Sequence, residues 1–376
     1  MTSARAPLRT GWTTGSCATA ATAAAFEALV SGVFPDPVTI TLPGGADVAF
    51  ALALHERDQD RATVGVVKDA GDDPDVTHGA LIVATLRLLP AADGVRFKAG
   101  SGVGTVTLGG LALAIGEPAI NPVPRQMMRD AIARIAARLG LQTLPGVEIT
   151  LSIPDGETIA TRTLNGRLGI VGGLSILGTT GIVRPYSCAA WIHGIHDGID
   201  VARANGLAHV AGGTGRTSEK AVLLHHGLAD MALIDMGDFV GGMLKYLRTR
   251  PVARVTVAGG VAKMTKLAQG MLDVHSKRGE VDLALLATLA ETAGGSAALR
   301  DAIRACNTGA QAFDLAEVEG VGLGDAVAAA AWRTAAQVVD NGVVSLDVLL
   351  FDRVGRLRGS TTAQPAQLSE IPRNRR

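Results

Sequence analysis

Two rhythms of apolar and polar residues divide the chain. Through its first half, apolar residues recur mostly at every second position, as in Ala62–Val67, Leu81–Leu89 and Val147–Ile153. A period of two lines one face of a strand, so these runs predict strands with one buried side. Val38–Leu42 and Asp47–Leu54 flank Pro43-Gly44-Gly45 and predict a β-hairpin. Ala99–Gly110 runs from glycines into alternating residues and predicts a loop and a hairpin. Helical patterns are few: alanine-rich Cys17–Val30, and Asn121–Leu139 with Pro124 in its first turn. Asp155 is expected to cap a short helix. A sheet covered by two or three helices makes an α+β domain of residues 1–184, ending in the apolar, glycine-rich connector Gly166–Gly181 and Arg184-Pro185.

From Tyr186 the rhythm changes. Ser187–Ala204 reads as a helix, and strands near His209, Met231 and Arg254 alternate with helical segments, a βαβ pattern that implies a mostly parallel sheet. Alanine-rich helices follow Asp282. Val343–Phe351 is the last expected strand, added antiparallel to the sheet. Residues 185–356 form this α/β domain, and residues 357–376 mix Arg, Pro, Ser and Gln in a tail expected to be loose.

The stretch His209–Lys220 carries the clearest chemistry. An apolar strand feeds Gly212-Gly213-Thr214-Gly215, and a helical pattern follows, Thr217–His226. Glycines let a ligand approach the backbone, and the helix start offers free N–H groups and a positive dipole end. Gly213, Gly215 and Ser218 make an imperfect dinucleotide fingerprint, and Asp235 stands 20 positions after Gly215, where an acidic group meets ribose hydroxyls. Ligands of parallel sheets bind beyond the carboxyl ends of the strands, so three loops are singled out: Gly212–Arg216, Asp235–Asp238 and Gly259–Lys263.

In the first half, Asp69, Asp72, Asp73 and Asp75 fall within seven positions and His78 closes the run. The spacing is not that of a calcium loop; the run is either a solvated turn or a substrate loop that supplies a base. Thr14 or Ser16 caps the first helix, or joins Thr10 and Thr13 in an anion site. Arg125, at the start of the second helix, is either solvated or a carboxylate partner.

Composition narrows the function. Formal net charge is zero and aromatic residues are 3% of the chain, which removes the electrostatic footprint and the stacking surface of a nucleic-acid binder. Cys17, Cys188 and Cys306 are odd in number and widely spaced, fit neither disulfides nor a metal site, and read as small core residues in a reducing compartment. His193, His196, His225 and His226 have no metal-ligand spacing, so no protein-bound metal is expected. His275 reads as a site residue or a helix cap. With no signal peptide and no spanning segment in view, a cytoplasmic protein is expected.

Residues 10–18 (TGWTTGSCA), 67–79 (VKDAGDDPDVTHG), 119–125 (AINPVPR) and 164–183 (LNGRLGIVGGLSILGTTGIV), followed by 212–219 (GGTGRTSE), 235–241 (DMGDFVG) and 263–270 (KMTKLAQG), resemble the cobalt-precorrin-5B C1-methyltransferases in the family's own order. The resemblance covers almost the whole chain up to the last expected strand. It implies a two-layer α+β domain that binds substrate and a Rossmann-like domain that binds S-adenosylmethionine. It implies methylation at C1 of a cobalt-bearing tetrapyrrole in anaerobic cobalamin synthesis, cobalt arriving only with the substrate. The cofactor is then expected at Gly213, Thr214, Gly215, Arg216, Asp235 and Gly237. The ring carboxylates are expected at Thr14, Ser16, Lys68, Arg125 and Lys263, and a weak base at Asp69, Asp72 or His78. Gly260 stands where the family usually has histidine and Ala262 where it has glycine, so no imidazole is expected in the third loop. A homo-oligomer is left open. Two other readings compete: an NAD(P)-dependent oxidoreductase using the same glycine turn, and a non-catalytic tetrapyrrole carrier.

Overall fold

The computed structural model describes residues 7–367, and the chain divides into two compact units, Met1–Cys188 and Ala189–Arg376. In the first, five strands lie in the order Leu54–Arg57, Arg61–Val67, Leu81–Leu89, Gly146–Ser152 and Val95–Ala99. All neighbours are antiparallel except the last pair. Ala62, Val64, Val66, Ile82, Ala84, Leu86, Val147, Ile149 and Leu151 are all buried, the alternate positions that the period of two predicts. The opposite face is polar, with Thr63 and Thr85 hydroxyls 3.0 Å apart and Glu148 between Arg87 and Lys98.

The helix Thr14–Ser31 packs into the core with this sheet and with the helix Pro122–Arg138. Its alanines allow backbones to approach, and nearly its whole circumference is buried, Phe26 included. Each larger apolar side chain so buried contributes roughly 1.5–3 kcal/mol. Thr13, rather than Thr14 or Ser16, is the N-cap: its hydroxyl accepts from the Ser16 N–H at 3.2 Å. Gly32, at φ 86°, ends the helix in the left-handed region.

Several local expectations need correction. The expected hairpin within Ala99–Gly110 does not form. Gly102–Val103 and Thr105–Val106 are two-residue strands that pair with Gly173–Leu174 and Ile170–Val171 in the distant connector. Local alternation identifies a strand but not its partner. Asp155 sits at the start of the short helix Gly156–Ala160 at φ 59° and makes no side-chain capping bond.

In the second unit the sheet runs Leu233–Asp235, His209–Gly213, Arg254–Gly260, Ser345–Phe351 and Leu357–Ser360. The first four strands are parallel, including Ser345–Phe351, which was expected antiparallel. The helices between Leu283 and Val339 carry the chain back to the amino end of the sheet, so that strand enters in the same direction as its neighbour. Leu357–Ser360 and Gln364–Pro365 then pair antiparallel with it, so the expected loose tail begins as sheet edge. Residues 368–376 lie outside the described residues. The helix Arg216–His226 covers one face through Val222 against Ala211, Leu233 and Leu349. The other face packs Val210, Val255, Val257 and Val348 against the remaining helices. No helix among the described residues is long and apolar enough to cross a membrane.

Candidate functional site

Burial on both faces leaves the carboxyl ends of the parallel strands as the place where loops are free to carry chemistry. Gly213 and Asp235 are register partners there, and Gly237 N–H donates to the Gly213 carbonyl at 3.2 Å. A Cβ on Gly213 would lie 2.4 Å from Glu219 Cγ, so the helix start packs directly on this residue. Gly215 precedes the helix Arg216–His226 at φ 153°, a backbone few side chains adopt, and a Cβ there would point into open space. Its carbonyl accepts from Ser218 Oγ at 2.8 Å. Arg216 begins the helix and has no ion-pair partner among the described residues.

Lys263 ties the three loops together. From the first turn of the helix Val261–Ala268, its Nζ donates to the Thr214 carbonyl at 2.5 Å and stands 3.0 Å from Asp238 Oδ1. The Asp238 contact is an ion pair without a directed hydrogen bond, since that buried oxygen has no hydrogen-bond partner among the described residues. Lys266, 6% exposed, reaches the carbonyls of Val274 and His275, at 3.5 and 3.4 Å, and no others among the described residues. His275 N-caps the 3-10 turn Ser276–Arg278 by accepting from Lys277 N–H. Thus Gly213, Thr214, Gly215, Arg216, Asp235, Gly237 and Lys263 converge as a group. A residue that sequence reasoning passed over joins them: Trp191, on the helix Cys188–Ala204, donates its indole N–H to the Asp235 carbonyl at 3.0 Å. The signal was its rarity, one of three tryptophans, at the start of the helix before the glycine-turn strand.

The first-unit candidates stand differently. Thr14 Oγ1 accepts from Leu177 N–H at 2.9 Å, and Ser16 Oγ donates to the Gly181 carbonyl at 2.7 Å. Ser16 has no exposed surface. Arg125 donates to the carbonyls of Ile120 and Pro118, pairs with Glu117 at 2.7 Å and lies over the Phe97 ring. Lys68, 1% exposed, pairs with Asp75 at 2.7 Å. These four groups are spent on their own domain, and a ring carboxylate has no access to Ser16 or Lys68 where they stand.

The aspartate loop is folded back on itself. Arg9 forms a bidentate pair with Asp69, and its N–H donates to Asp72 at 2.6 Å. The Arg9 hydrogen bond, helped by the Gly71 N–H, pulls Asp69 down to about 2. Burial opposes ionisation of Asp75, but the charge of Lys68 and the Thr77 hydrogen bonds outweigh it and hold its pKa low. His78 Nδ1 accepts from the Ala70 N–H at 3.1 Å, so the neutral ring carries its proton on Nε2. Cavities of about 340 and 270 Å³ also lie in this unit, one beside Arg134 and Arg138, the other on the polar sheet face; neither touches the aspartate loop.

At the amino ends of the parallel strands, His209, His226 and Asp347 offer ligand atoms within 4.8 Å of one another. The Thr256 hydroxyl fills the centre: it donates to Asp347 at 2.8 Å and lies 2.8 Å from His209 Nε2 and 3.3 Å from His226 Nε2. With the hydroxyl proton committed to Asp347, the His209 Nε2 is a donor rather than a metal ligand. Arg254, 3.2 Å from Asp347, already supplies the positive charge. This is a closed hydrogen-bonded cluster. Of the cysteines, Cys17 and Cys306 are buried as expected, but Cys188 is exposed at the start of its helix.

Fold and loops together define a two-unit mixed α/β protein with a candidate ligand site at a glycine turn of the second unit. The CbiD family model matches residues 1–185, and the model of the CbiD C-terminal domain matches residues 273–362. A cobalt-precorrin-5B C(1)-methyltransferase of a Bradyrhizobium species is 60% identical over 98% of this chain and 97% of its own length. The enzyme of that name from Agrobacterium fabrum is 58% identical over 98% of each chain. A crystal structure of a cobalamin biosynthesis protein (cbiD) from Archaeoglobus fulgidus is 26% identical, covers 72% of this chain and 83% of its own, and superposes with a TM-score of 0.38. The chain belongs to the cobalt-precorrin-5B C(1)-methyltransferase family.

Proposed function

We propose that this chain transfers the methyl group of S-adenosylmethionine to C1 of cobalt-precorrin-5B, giving cobalt-precorrin-6A, a step of anaerobic cobalamin biosynthesis. The observation that carries the reading is near full-length identity of 58–60% to relatives that bear this enzyme's name. We read the second unit as a Rossmann-like, S-adenosylmethionine-binding domain and the first as the two-layer domain that binds the tetrapyrrole.

The glycine turn suits the donor. S-adenosylmethionine has no phosphates, so a degenerate fingerprint is sufficient. The open space over Gly215 admits its amino-acid end, and Arg216 with the helix start faces the carboxylate. Asp235 faces the ribose hydroxyls. Gly237, at φ 52°, turns the chain away beneath them. Lys263 holds the turn and the Asp238 loop in register, a positioning role rather than contact with a ring carboxylate.

The sulfonium already activates the methyl group, so the protein's tasks are alignment and exclusion of water for in-line displacement. Asp69, held at about 2 beside Arg9, is a poor base at neutral pH. Neutral His78 presents an Nε2–H and is better suited to donate to a substrate acceptor than to take a proton. That leaves Asp72 as the base candidate of the loop. Cobalt enters as part of the substrate.

Calorimetric titration with S-adenosylhomocysteine, with NAD and NADP run in parallel, tests the reading. Binding of S-adenosylhomocysteine alone supports methyl transfer. Binding of a nicotinamide nucleotide would give the pocket to an oxidoreductase, and silence from all three would favour a carrier. Asp235→Asn should weaken S-adenosylhomocysteine binding roughly tenfold, the scale of one lost charge-assisted hydrogen bond. Unchanged affinity would remove the ribose assignment.

A further inference from the structure

Trp191 is 48% exposed in a chain whose aromatic content is 3%, and it stands at the ligand end of the parallel sheet. The other two tryptophans are differently placed: Trp332 is 9% exposed and donates to the Leu346 carbonyl, while Trp12 packs on Phe50 at 5.3 Å. Leaving a large apolar ring in water forgoes its burial energy, so an exposed tryptophan fixed in place calls for an explanation.

Three contacts fix this one. The indole N–H donates to the Asp235 carbonyl at 3.0 Å. Gly237 approaches so closely that a Cβ there would lie 3.1 Å from Cζ2 and 3.2 Å from Cε2 and Nε1. Phe239 supports the ring from 6.5 Å. The ring is thus held by the loop that follows the strand Leu233–Asp235, while the residue as a whole stays 48% exposed. That strand is the edge of the sheet, next to the glycine-turn strand. A ligand whose ribose sits at Asp235 and whose polar end sits at Gly215 has its base directed toward that edge.

We propose that Trp191 is the aromatic wall of the cofactor subsite, and that the adenine of S-adenosylmethionine stacks on its exposed indole surface. The proposal rests on the methyl-transfer reading. A planar heteroaromatic base recovers the apolar contact that the free indole lacks. The Nε1 anchor on the Asp235 carbonyl couples base stacking to ribose binding, since the residue proposed to meet the ribose also holds the indole. Wall and hydroxyl partner are therefore presented at a fixed spacing before the ligand arrives, which lowers the ordering cost of binding.

The test is calorimetric titration of the full-length protein and of Trp191→Ala and Trp191→Phe with S-adenosylhomocysteine, together with intrinsic fluorescence. Phenylalanine keeps a stacking ring but cannot donate to the Asp235 carbonyl, so the two variants separate stacking from loop anchoring. Trp191→Ala should raise Kd roughly 5- to 150-fold, the range for loss of one base–aromatic stack. Trp191→Phe should stay within about threefold of wild type on the same scale. Wild-type fluorescence should be quenched on binding, and Trp191→Phe should lose that quenching while still binding by calorimetry. Unchanged affinity in Trp191→Ala would overturn the wall and leave the methyl-transfer reading standing. Equal losses in both variants would overturn it too, by assigning the effect to the anchor. A wild-type protein that does not bind S-adenosylhomocysteine would remove the reading and the wall together.

Discussion

The two units differ in what their glycine-rich motifs leave open. In the first, the distinctive stretches are one another's partners. Gly15 lies against Pro124 and the Leu177 carbonyl, Ser16 bonds Gly181, and a Cβ on Gly11 would fall 2.1 Å from the backbone of Ala70. In the second, the fingerprint is degenerate, yet Gly215 opens into space, Arg216 has no ion-pair partner among the described residues and Trp191 is exposed. A motif's distinctiveness in sequence therefore reports two different things. It marks either a backbone packed too tightly to vary or a surface kept clear for a ligand, and the two are told apart by what a Cβ would meet.

The sharpest way to break this comparison is to add that Cβ in both units. At Gly71 (φ 68°) it would lie 2.2 Å from the Arg9 carbonyl oxygen, and Gly71→Ala should cost about 3–5 kcal/mol of stability. Chemical unfolding reads this directly; an unchanged midpoint would mean the interlock is soft. Lys68→Met should come next, at about 3 kcal/mol, because Asp75 is left part-buried without its cation.

Gly215→Val should show the reverse balance. Only backbone strain, about 1–3 kcal/mol, opposes folding, but the side chain would fill the proposed ligand space and S-adenosylhomocysteine affinity should fall more than tenfold. Parallel losses of stability and affinity would erase the contrast between the units.

The last effect concerns acid. Burial, then the charges of Arg254 and His226, lowers His209 from 6.5 to about 4, with Asp347 opposing. Between those values the unfolded chain binds a proton that the folded one refuses, so stability falls as pH drops from about 6.5 toward 4. His209→Gln should flatten that slope in urea midpoints measured at neutral and mildly acid pH, and an unaltered slope would place the titration elsewhere.

Much of the architecture was legible, because period two and alanine-rich helical spacing are local. The strands Arg61–Val67 and Leu81–Leu89 and the helix Thr14–Ser31 follow from their own residues. Long-range pairing was not legible: the partner of Thr105–Val106 lies more than 60 positions away, and the direction of Ser345–Phe351 depends on where the intervening helices return the chain. Of the candidate site, the strand, glycine turn and helix start could be read because they are local, and the structure sets Asp235 beside Gly213 in register. The commitment of Thr14, Ser16 and Lys68 to neighbouring backbone and carboxylate could not, since polarity in sequence carries no record of burial. Trp191 was missed because a lone aromatic at a helix start has no spacing to betray it.

Thiol accessibility gives the protein a ready-made spectroscopic handle. Burial raises Cys17 to about 12 and raises Cys306 as well, while Cys188 stands exposed three positions before Trp191. A maleimide dye added to the unmodified protein should attach at Cys188 alone. Its emission would then report ligand arrival from within one helical turn of the indole, without an engineered cysteine.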